Sequence, residues 1–545
     1  MPNSFGQSGK ESKQTLSDGD FSISFNGHIH KFESPLNGGS DIEKILRGYI
    51  TYGAEVVEKL IGEFVFSIED NKNNKIVVGR DRLGGKSQYY SHSDGTIKFS
   101  SEIRDFQFPK CLNITIPNSF IEFETTLEDE TLFEKSKALM PGHVLSYYVD
   151  EDRVEIKKYW DFPINVPMFK GKDEDLILEL EDRVMQAIET RMPKEPYAIL
   201  LSGGLDSSTL GFLASKIKKP DAFIISHFPG MPVQFDEYEF ANMVSKKLQV
   251  PLIKVVPTAQ DFKEKMPKAL ALFDRPLASA AILPIYMIAE ELQKNGIENV
   301  FTGSGPDEFL NGYARHKIMA RSLEDLEKFI ENPKLLETEW PTMVSYLPLM
   351  IYFMEGKKDK KLDFTQKADR YYHLIRRGNS GSTAPLEFVR DLFSHVENND
   401  TLRQVSYTDA KVSFPPLLQL EEKTFGAFGI SGYTPFLDQA VLEMAFGLPP
   451  HLKITDEYRS KHILRVIAER AGVPLEITNR KDKVGFATPF NYWFDNELKD
   501  WKEKLLQHAG AELLTKTSGV PSRGKYDRDI YQRINMILWM DSISQ

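Results

Sequence analysis

The chain has 545 residues, a net charge of −11 and one cysteine, Cys111. A chain of this length exceeds what one hydrophobic core supports, so we expect at least two domains. The negative charge argues against a dedicated nucleic-acid-binding protein, and no apolar run approaches the roughly 20 residues of a membrane span. A lone cysteine excludes an internal disulfide and a cysteine-based metal centre, which fits a cytoplasmic location.

The first part of the chain predicts a tail followed by an α+β domain. Residues 1–20 are polar and lack the apolar segment of a signal peptide, so we expect a disordered tail there. Between 21 and 162, short runs such as "FSISFNGHI" and "KIVVGRD" alternate apolar and polar residues and predict strands. A helical stretch that begins at Asp41 interrupts these strands, and a proline-containing linker follows the domain.

Residues 174–545 form the second predicted domain. Short apolar runs alternate there with helical stretches, at 198–201, 222–226, 252–256 and 299–303. This alternation predicts a parallel sheet covered by helices. Beyond about residue 317 the pattern is mostly helical.

The stretch "LLSGGLDSS", which begins at Leu200, places glycines, hydroxyls and one acid directly after a predicted strand. Backbone N–H groups at such a turn, together with the positive end of the helix dipole, suit a phosphate group. Gly203 and Gly204 allow the backbone to approach a ligand closely. Asp206 would repel phosphate, so its presence predicts a Mg²⁺ ion that bridges the carboxylate to the phosphates.

A second acidic loop, "FTGSGPDEFLNGY" from Phe301, also follows a predicted strand and carries Asp307. The carboxyl ends of parallel strands meet at one edge of a sheet, where ligands bind. Asp206 and Asp307 are therefore expected to face each other across a nucleotide and to hold Mg²⁺. An Asp-Glu pair in a single loop is usually solvated, but its combination with the first loop favours a function.

Together these motifs resemble the asparagine synthetase family, which also includes β-lactam synthetases and lasso-peptide cyclases. Further family-like motifs follow in the family's order: "DRPLASAAILP" (274–284), "YTPFLD" (433–438), "SKHILR" (460–465) and "KVGFATPFNYWF" (483–494). In the N-terminal half, "FNGHIHKF" and "GRDRLGGKSQYY" resemble the family's glutaminase-type domain. The resemblance implies an Ntn-hydrolase-like αββα sandwich. After it comes a doubly wound parallel-sheet ATP pyrophosphatase domain with a helical C-terminal part.

The resemblance also implies an ATP-dependent ligase. It activates a small-molecule carboxylate as an acyl-adenylate, releases pyrophosphate and then forms an amide with an amine. ATP and Mg²⁺ are the implied cofactors, and a homodimer is compatible with the family. The residues implied to bind ATP are Leu201, Ser202, Gly203, Gly204, Asp206, Ser207, Ser208, Ile225, Gly303 and Ser304. Asp206 and Asp307 are the implied metal ligands, and Lys483 is implied to stabilise the transition state of adenylation.

The N-terminal half departs from the family at its nucleophile. Family glutaminase domains begin with a cysteine after the initiator methionine, whereas residue 2 here is proline. Asn26 and Gly27 match the family's glutamine-binding stretch, and Asp41 matches its acid. Without a thiolate there is no acyl-enzyme route to ammonia. Either glutamine hydrolysis is lost and these residues are vestigial, or the natural protein begins upstream.

The synthetase half departs at positions near the expected amine site. Ser304 stands where asparagine synthetases carry Glu, and Ser431 and Tyr433 stand where the family usually has Glu and Arg. Serine alone is not a general base near neutral pH. The sequence therefore assigns no group to deprotonate the amine, and His316 is only a weak candidate.

Three alternatives stay open. The altered serines fit a synthetase of β-lactam or lasso type that uses an internal amine, and they also fit an ATP-binding relative without chemistry. A sulfur-inserting or tRNA-modifying enzyme is disfavoured by the lone cysteine and the acidic chain. The charged side chains of His451, Lys453 and Lys461 are predicted to be solvated.

Overall fold

A computed structural model of the protein describes residues 14–32, 38–106, 116–232, 235–334, 337, 341–355, 364–455, 457, 459–481, 488–507 and 528–543. The strands are β1 (Gln14–Asp18), β2 (Phe21–Phe32), β3 (Leu60–Asp70), β4 (Lys75–Arg80), β5 (Tyr89–Ser93), β6 (Thr96–Ser100), β7 (Lys137–Ala138), β8 (His143–Tyr148), β9 (Arg153–Lys158), β10 (Tyr197–Leu200), β11 (Ala222–Ser226), β12 (Leu252–Val255), β13 (Asn299–Phe301) and β14 (Ser431–Tyr433). The helices in the first half are α1 (Asp41–Tyr52), α2 (Asn118–Phe123), α3 (Asp173–Arg191), α4 (Leu205–Ile217), α5 (Tyr238–Leu248), α6 (Ala259–Leu270) and α7 (Ile282–Lys294). Those in the second half are α8 (Pro306–Phe309), α9 (Ala314–Met319), α10 (Leu323–Glu331), α11 (Leu347–Glu355), α12 (Lys367–Ile375), α13 (Ala384–Ser394), α14 (Thr401–Val412), α15 (Pro415–Ala427), α16 (Gln439–Gly447), α17 (Pro450–Lys453), α18 (His462–Ala471), α19 (Leu475–Thr478), α20 (Phe490–Asp495), α21 (Lys499–Leu506) and α22 (Arg528–Ile543).

The N-terminal half is built from two antiparallel sheets, one of six strands in the order β1-β2-β3-β4-β8-β9 and one of three strands in the order β6-β5-β7. Neighbouring residues of a strand face opposite sides of its sheet. Val77 accordingly packs with Ile45 of α1, whereas Val78 packs with Leu145 and the smaller sheet. A helix layer and two sheet layers of the predicted sandwich are thus held together by apolar contacts.

Strand β1 corrects one prediction. The sequence predicted a disordered tail over residues 1–20, but β1 pairs antiparallel with β2 from Gln14 opposite Phe25 to Asp18 opposite Phe21. Gly19, at a φ of +58°, forms the tight turn between the two strands. The polar composition misled the prediction because main-chain pairing at a sheet edge depends little on side chains. Residues 1–13 lie outside the described part of the chain.

The C-terminal half contains a five-stranded parallel sheet in the order β12-β11-β10-β13-β14. Ile199 packs with the helices on one face, and its neighbour Ala198 packs with α6 and α7 on the other. The predicted doubly wound fold is therefore confirmed. The chain leaves β10 towards β11 and returns on its other side at β13, so a crevice opens between the ends of β10 and β13.

The two halves share a hydrophobic core. Tyr89 and Ile103 of the N-terminal half belong to one cluster with Leu270 and Trp539 of the C-terminal half. Glu122 of the N-terminal half adds a polar contact, since it accepts hydrogen bonds from the hydroxyl groups of Tyr372 and Ser380 of the C-terminal half. Among the helices of the described residues, none is both long and apolar enough to cross a membrane.

Candidate functional site

The loop between β10 and α4 is closed by its own hydroxyl groups. The backbone N–H of Ser202 donates to Ser207 Oγ at 3.0 Å, and the two serine hydroxyls lie 3.0 Å apart. Gly203 has a φ of +71°, and a Cβ there would lie 2.8 Å from the carbonyl oxygen of Glu237. Glycine is required at this turn, which ends at Gly204, the residue that caps α4.

Three further residues implied to bind ATP are buried: Leu201 on this loop, Ser208 on α4 and Ile225 on the neighbouring strand β11. Leu201 and Ile225 belong to the hydrophobic core, so only their backbone atoms could contact a ligand. Ser208 is fully buried, and within the described residues its Oγ has no hydrogen-bond partner. Buried polar atoms normally have partners, and a phosphate oxygen would supply one.

The second acidic loop lies directly against the first. A Cβ at Gly303 would lie 2.9 Å from the backbone nitrogen of Ser207, and a Cβ at Gly312 would lie 1.9 Å from Asp307 Oδ1. Both glycines therefore permit contacts that any other residue would prevent. The two loops therefore lie together at the carboxyl edge of the sheet, as the sequence predicted.

Lys461 joins the two acidic residues. Its Nζ donates to Asp206 Oδ2 at 2.8 Å and to Asp307 Oδ1 at 2.7 Å, and the lysine is only 4% exposed. Burial by itself lowers the pKa of this ammonium group, but the two carboxylates outweigh burial and raise the pKa above its ordinary value. Lys461 also adopts a left-handed backbone conformation with a φ of +52°, a strained geometry that is common at functional sites.

Further charged groups surround this cluster. Burial raises the pKa of Glu308 to about 8, and the adjacent Asp307 carboxylate acts in the same direction. Tyr313 Oη donates to Glu308 Oε1 at 2.5 Å. Burial lowers the pKa of Lys317 to about 8, and the cations of Arg465 and Lys461 lower it further. The site thus combines acids that can hold a metal ion with cations that suit phosphate.

The carboxylates of Asp206 and Asp307 reach a common cation, which shows that both can contact one positive charge at the same place. In the described part of the chain, no three His, Cys, Asp or Glu side chains cluster as a metal site. Two carboxylates without further protein ligands fit Mg²⁺, which usually binds one or two carboxylates and completes its shell with water and substrate phosphates.

Ser304 of the second acidic loop and Glu421 of α15 form a second polar cluster. The sequence did not predict Glu421 as a residue of the site. Ser304 Oγ donates to Glu421 Oε1 at 2.6 Å, and Thr302 Oγ1 donates to Glu421 Oε2 at 2.9 Å. Burial raises the pKa of Glu421, although the two hydroxyl hydrogen bonds oppose this effect. Nothing in the local sequence of α15 distinguishes Glu421 from a surface glutamate.

The other candidates for the amine's base lie elsewhere. Ser431 is paired with Asn299 at the amino end of β13, whereas Ser304 follows the carboxyl end of that strand. The Ser431 hydroxyl lies 3.1 Å from His28 Nε2 of the N-terminal half. His316 is fully buried and lies 2.8 Å from Asp409 Oδ2, which supports a structural role.

Two predictions of solvated lysines are wrong. Lys453 is 2% exposed and Lys461 is 4% exposed. Lys453 ends α17 and Lys461 directly precedes α18, and both side chains are enclosed by the protein. Burial lowers the pKa of Lys453 to about 8, although the carboxylate of Asp400 opposes this shift. His451 is exposed as predicted, and its Nε2 lies 2.9 Å from Asp173 Oδ1.

The residues that match the glutamine site belong to the N-terminal sheet and its first helix. Asn26 and Gly27 are paired with β3, and a Cβ at Gly27 would lie 2.0 Å from the carbonyl oxygen of Glu63. Asp41 accepts hydrogen bonds from the backbone N–H of Ile29 and from Lys44 Nζ, both at 3.0 Å. Cys111 and Lys483 lie outside the described residues.

A doubly wound sheet with two acidic loops at its carboxyl edge, preceded by a layered antiparallel domain, defines a two-domain protein with a nucleotide-binding α/β domain. Residues 179–534 match the family model of asparagine synthase, and residues 7–160 match the glutamine amidotransferase domain. The chain belongs to the asparagine synthase family.

Relatives of known name match along most of the chain. "Asparagine synthetase [glutamine-hydrolyzing] 1" of Bacillus subtilis is 26% identical over 516 residues, which cover 89% of this chain and 79% of the relative. "Amidase chyE" of Penicillium rubens is 26% identical over 527 residues, which cover 88% and 77%. A solved NMN synthetase from Francisella tularensis covers 42% of this chain and 96% of its own, at 14% identity and a TM-score of 0.21.

Proposed function

We propose that the protein is an ATP-dependent carbon–nitrogen ligase that activates a small-molecule carboxylate as an acyl-adenylate and joins it to an amine. The convergence of Asp206 and Asp307 on one buried cation carries this proposal, since the two loops come from different strands. Membership of the asparagine synthase family and its similarity to the Bacillus subtilis asparagine synthetase support an amino-acid-like carboxylate as the substrate.

Each group of the site has a proposed role. The backbone N–H groups and hydroxyls of the first loop would hold the ATP phosphates, and Asp206 and Asp307 would hold Mg²⁺. When bound, Mg²⁺ neutralises charge on the phosphates during their transfer. Lys461 positions both carboxylates, and the cations of Lys317 and Arg465 would balance the departing pyrophosphate. Lys483, on the strength of the family resemblance alone, is proposed to stabilise the adenylation transition state.

We assign this chemistry to residues 174–545. For the sequence as given we propose that residues 21–162 do not release ammonia from glutamine, because its one cysteine is Cys111 and the family's nucleophile is a cysteine next to the initiator methionine. A natural start upstream that supplies this cysteine stays open as the alternative. Ammonia or another amine would then reach the synthetase site without a thioester intermediate.

The test is exchange of labelled pyrophosphate into ATP, with the full chain, Mg²⁺ and a panel of carboxylates that begins with L-aspartate. We expect exchange that requires both Mg²⁺ and one of the carboxylates, together with formation of AMP and an amide when ammonium chloride is added. ATP binding without exchange for any carboxylate would overturn the proposal and would favour a relative that binds ATP without chemistry.

A further inference from the structure

A cavity of about 120 Å³ lies between the two halves of the molecule. Met140 lines it from the N-terminal half, Trp160 and Phe162 from the segment that joins the halves, and Arg275 from the C-terminal half. One buried water needs roughly 10–15 Å³ on this measure, so the cavity has room for a small organic molecule. The residues that line it in the described part of the chain include none from the two acidic loops, which separates it from the proposed ATP site.

Arg275 brings a positive charge to this cavity and has few partners of its own. A guanidinium group has five N–H donors. The described residues give Arg275 one hydrogen bond, from Nη1 to Thr126 Oγ1 at the long distance of 3.5 Å, and leave its buried Nε without a partner. Its neighbour Asp274 is paired instead with Lys423 Nζ, at 3.1 Å. Among the described residues, Arg275 is therefore a cation without an acid in an ion pair with it.

Arg80 brings a second cation to the same cavity. Its Nε donates to the carbonyl oxygen of Lys86 at 2.6 Å, and its Nη1 and Nη2 donate to two further carbonyl oxygens. These bonds fix the side chain, but no carboxylate of the described residues forms an ion pair with it. Burial lowers the pKa of Arg275 and the charge of Arg80 acts in the same direction, although Asp274 opposes both. Two cations that repel each other in a partly buried cavity favour the binding of an anion there.

The other charged groups of the lining limit which anion fits. Lys411 Nζ is paired with Asp161 Oδ1 at 2.5 Å, so it adds little net positive charge. Glu128 and Glu130 also line the cavity, and their carboxylates disfavour an anion of high charge such as phosphate. A single carboxylate fits better, because the planar guanidinium group binds a carboxylate through two parallel N–H···O bonds.

Apolar side chains supply much of the remaining wall. Leu83, Met140 and Trp160 line the cavity, and each keeps part of its surface exposed. The rings of Trp160 and Phe162 lie against each other, with their centroids 5.0 Å apart. Contact with such a wall stabilises an apolar part of a ligand. Small-molecule sites commonly combine an apolar lining with a few polar groups that fix the ligand's orientation.

We propose that this cavity binds a small carboxylic acid with one negative charge and an apolar body. Its carboxylate would contact the guanidinium group of Arg275 near the charge of Arg80, and its body would pack against Met140 and Trp160. Such a ligand would touch both halves and stabilise their contact. The inference goes beyond the proposed ligase function and does not depend on it, because the cavity and the acidic loops use different residues.

Isothermal titration calorimetry of the full chain, without ATP and Mg²⁺, tests the proposal with phenylacetate as the probe. Phenylacetamide has nearly the same shape without the charge, and acetate has the charge without the ring. We expect phenylacetate to bind and each of these two molecules to bind at least about 10-fold more weakly. Inorganic phosphate should also bind more weakly, since it carries more charge and no apolar body.

Two variants of the cavity locate the probe. Arg275→Gln should weaken phenylacetate binding about 10–100-fold, the usual worth of hydrogen bonds to a charged group, and should not lower the midpoint of thermal unfolding of the free protein. Met140→Trp should weaken binding by filling the apolar end, and it decides the outcome if Arg275→Gln does not fold. The matched control is Arg153→Gln, because Arg153 is exposed on β9 and paired with Glu151 and Glu155. Phenylacetate should raise the unfolding midpoint of the wild type and the control, but not of the cavity variants.

Several results would overturn the proposal. A wild type that does not bind phenylacetate would do so, as would equal binding of phenylacetamide, since the charge would then not be recognised. Binding that both cavity variants retain would place the probe elsewhere, for example at the substrate site of the proposed ligase. Tighter binding of phosphate than of phenylacetate would exclude the class of ligand. Pyrophosphate exchange is measured separately, so these failures are distinct from a failure of the ligase function.

Discussion

The residues that match the family's two sites lie in very different surroundings in the two halves of the molecule. In the N-terminal half, Asp41 bonds a backbone N–H group at the start of α1 and thereby stabilises the fold. In the C-terminal half, Asp206 and Asp307 share one buried ammonium group, Lys461, at the edge of a sheet. Asp41 bonds a main-chain group and a lysine of its own helix, whereas Asp206 and Asp307 come from separate loops and meet at one ammonium group. Two acids that meet at one point in this way suit the metal-binding role proposed for them.

Asp206→Asn is expected to have the largest effect. Loss of one carboxylate from a site that gathers charge around the phosphates should lower pyrophosphate exchange by about 10²–10³-fold. The matched control is Asp182→Asn, since Asp182 is exposed and, among the residues that the structure describes, accepts a hydrogen bond from Gln186 of its own helix. Exchange at the wild-type rate in Asp206→Asn would show that Asp206 does not hold the metal.

Lys461→Met tests the cation directly. The buried carboxylate of Asp206 and the partly exposed carboxylate of Asp307 would then face each other without the ammonium group, and the free energy of unfolding should fall by about 3 kcal/mol. Addition of MgCl₂ should stabilise the variant more than the wild type, because a divalent cation that binds the folded state replaces the lost charge. Denaturant unfolding with MgCl₂ and with EDTA measures both effects. Equal stabilisation of the two proteins would contradict a shared metal site.

Lys453 tests whether a buried lysine with a lowered pKa necessarily belongs to the functional site. Its pKa is about 8 in the folded protein against an ordinary value of 10.5, so the unfolded chain binds more protons between these pH values. The free energy of unfolding should rise with pH across that window. Lys453→Met should stabilise the protein at pH 7 by about 2–3 kcal/mol, a difference that disappears by about pH 10.5, and should leave exchange unchanged. A constant difference from pH 7 to pH 11 would contradict the shifted pKa.

Asp41→Ala is expected to have the smallest effect. The hydrogen bond to Ile29 is lost, which should lower the free energy of unfolding by about 1 kcal/mol, while ammonia-dependent amide formation stays the same. Wild type and variant should both release no glutamate from glutamine above the enzyme-free rate. Glutamate release by the wild type that Asp41→Ala abolishes would show that the N-terminal site works.

The pattern of neighbouring residues predicted most of the fold and the two acidic loops of the site. The apolar runs at 198–201, 222–226, 252–256 and 299–303 coincide with strands of the parallel sheet. They could be predicted because a buried strand is a short run of consecutive apolar residues. The two loops were readable for the same reason, since each joins glycines to an acid directly after such a run. Strand β14 was missed because three residues, "SGY", carry no pattern of their own.

The two halves, the parallel sheet and the acidic loops at one edge could be predicted from the sequence, because each depends on neighbouring residues. The contact of Lys461 with Asp206, 255 residues away in the chain, became visible only in the folded molecule. The folded structure also shows that Glu421 bonds Ser304, 117 residues away in the chain. Ser431 lies at the other end of the sheet from Ser304. A lysine or glutamate on a helix looks the same in sequence whether it faces water or a carboxylate. The packing of distant helices sets which of these it meets, and with it the charge and the pKa of the site.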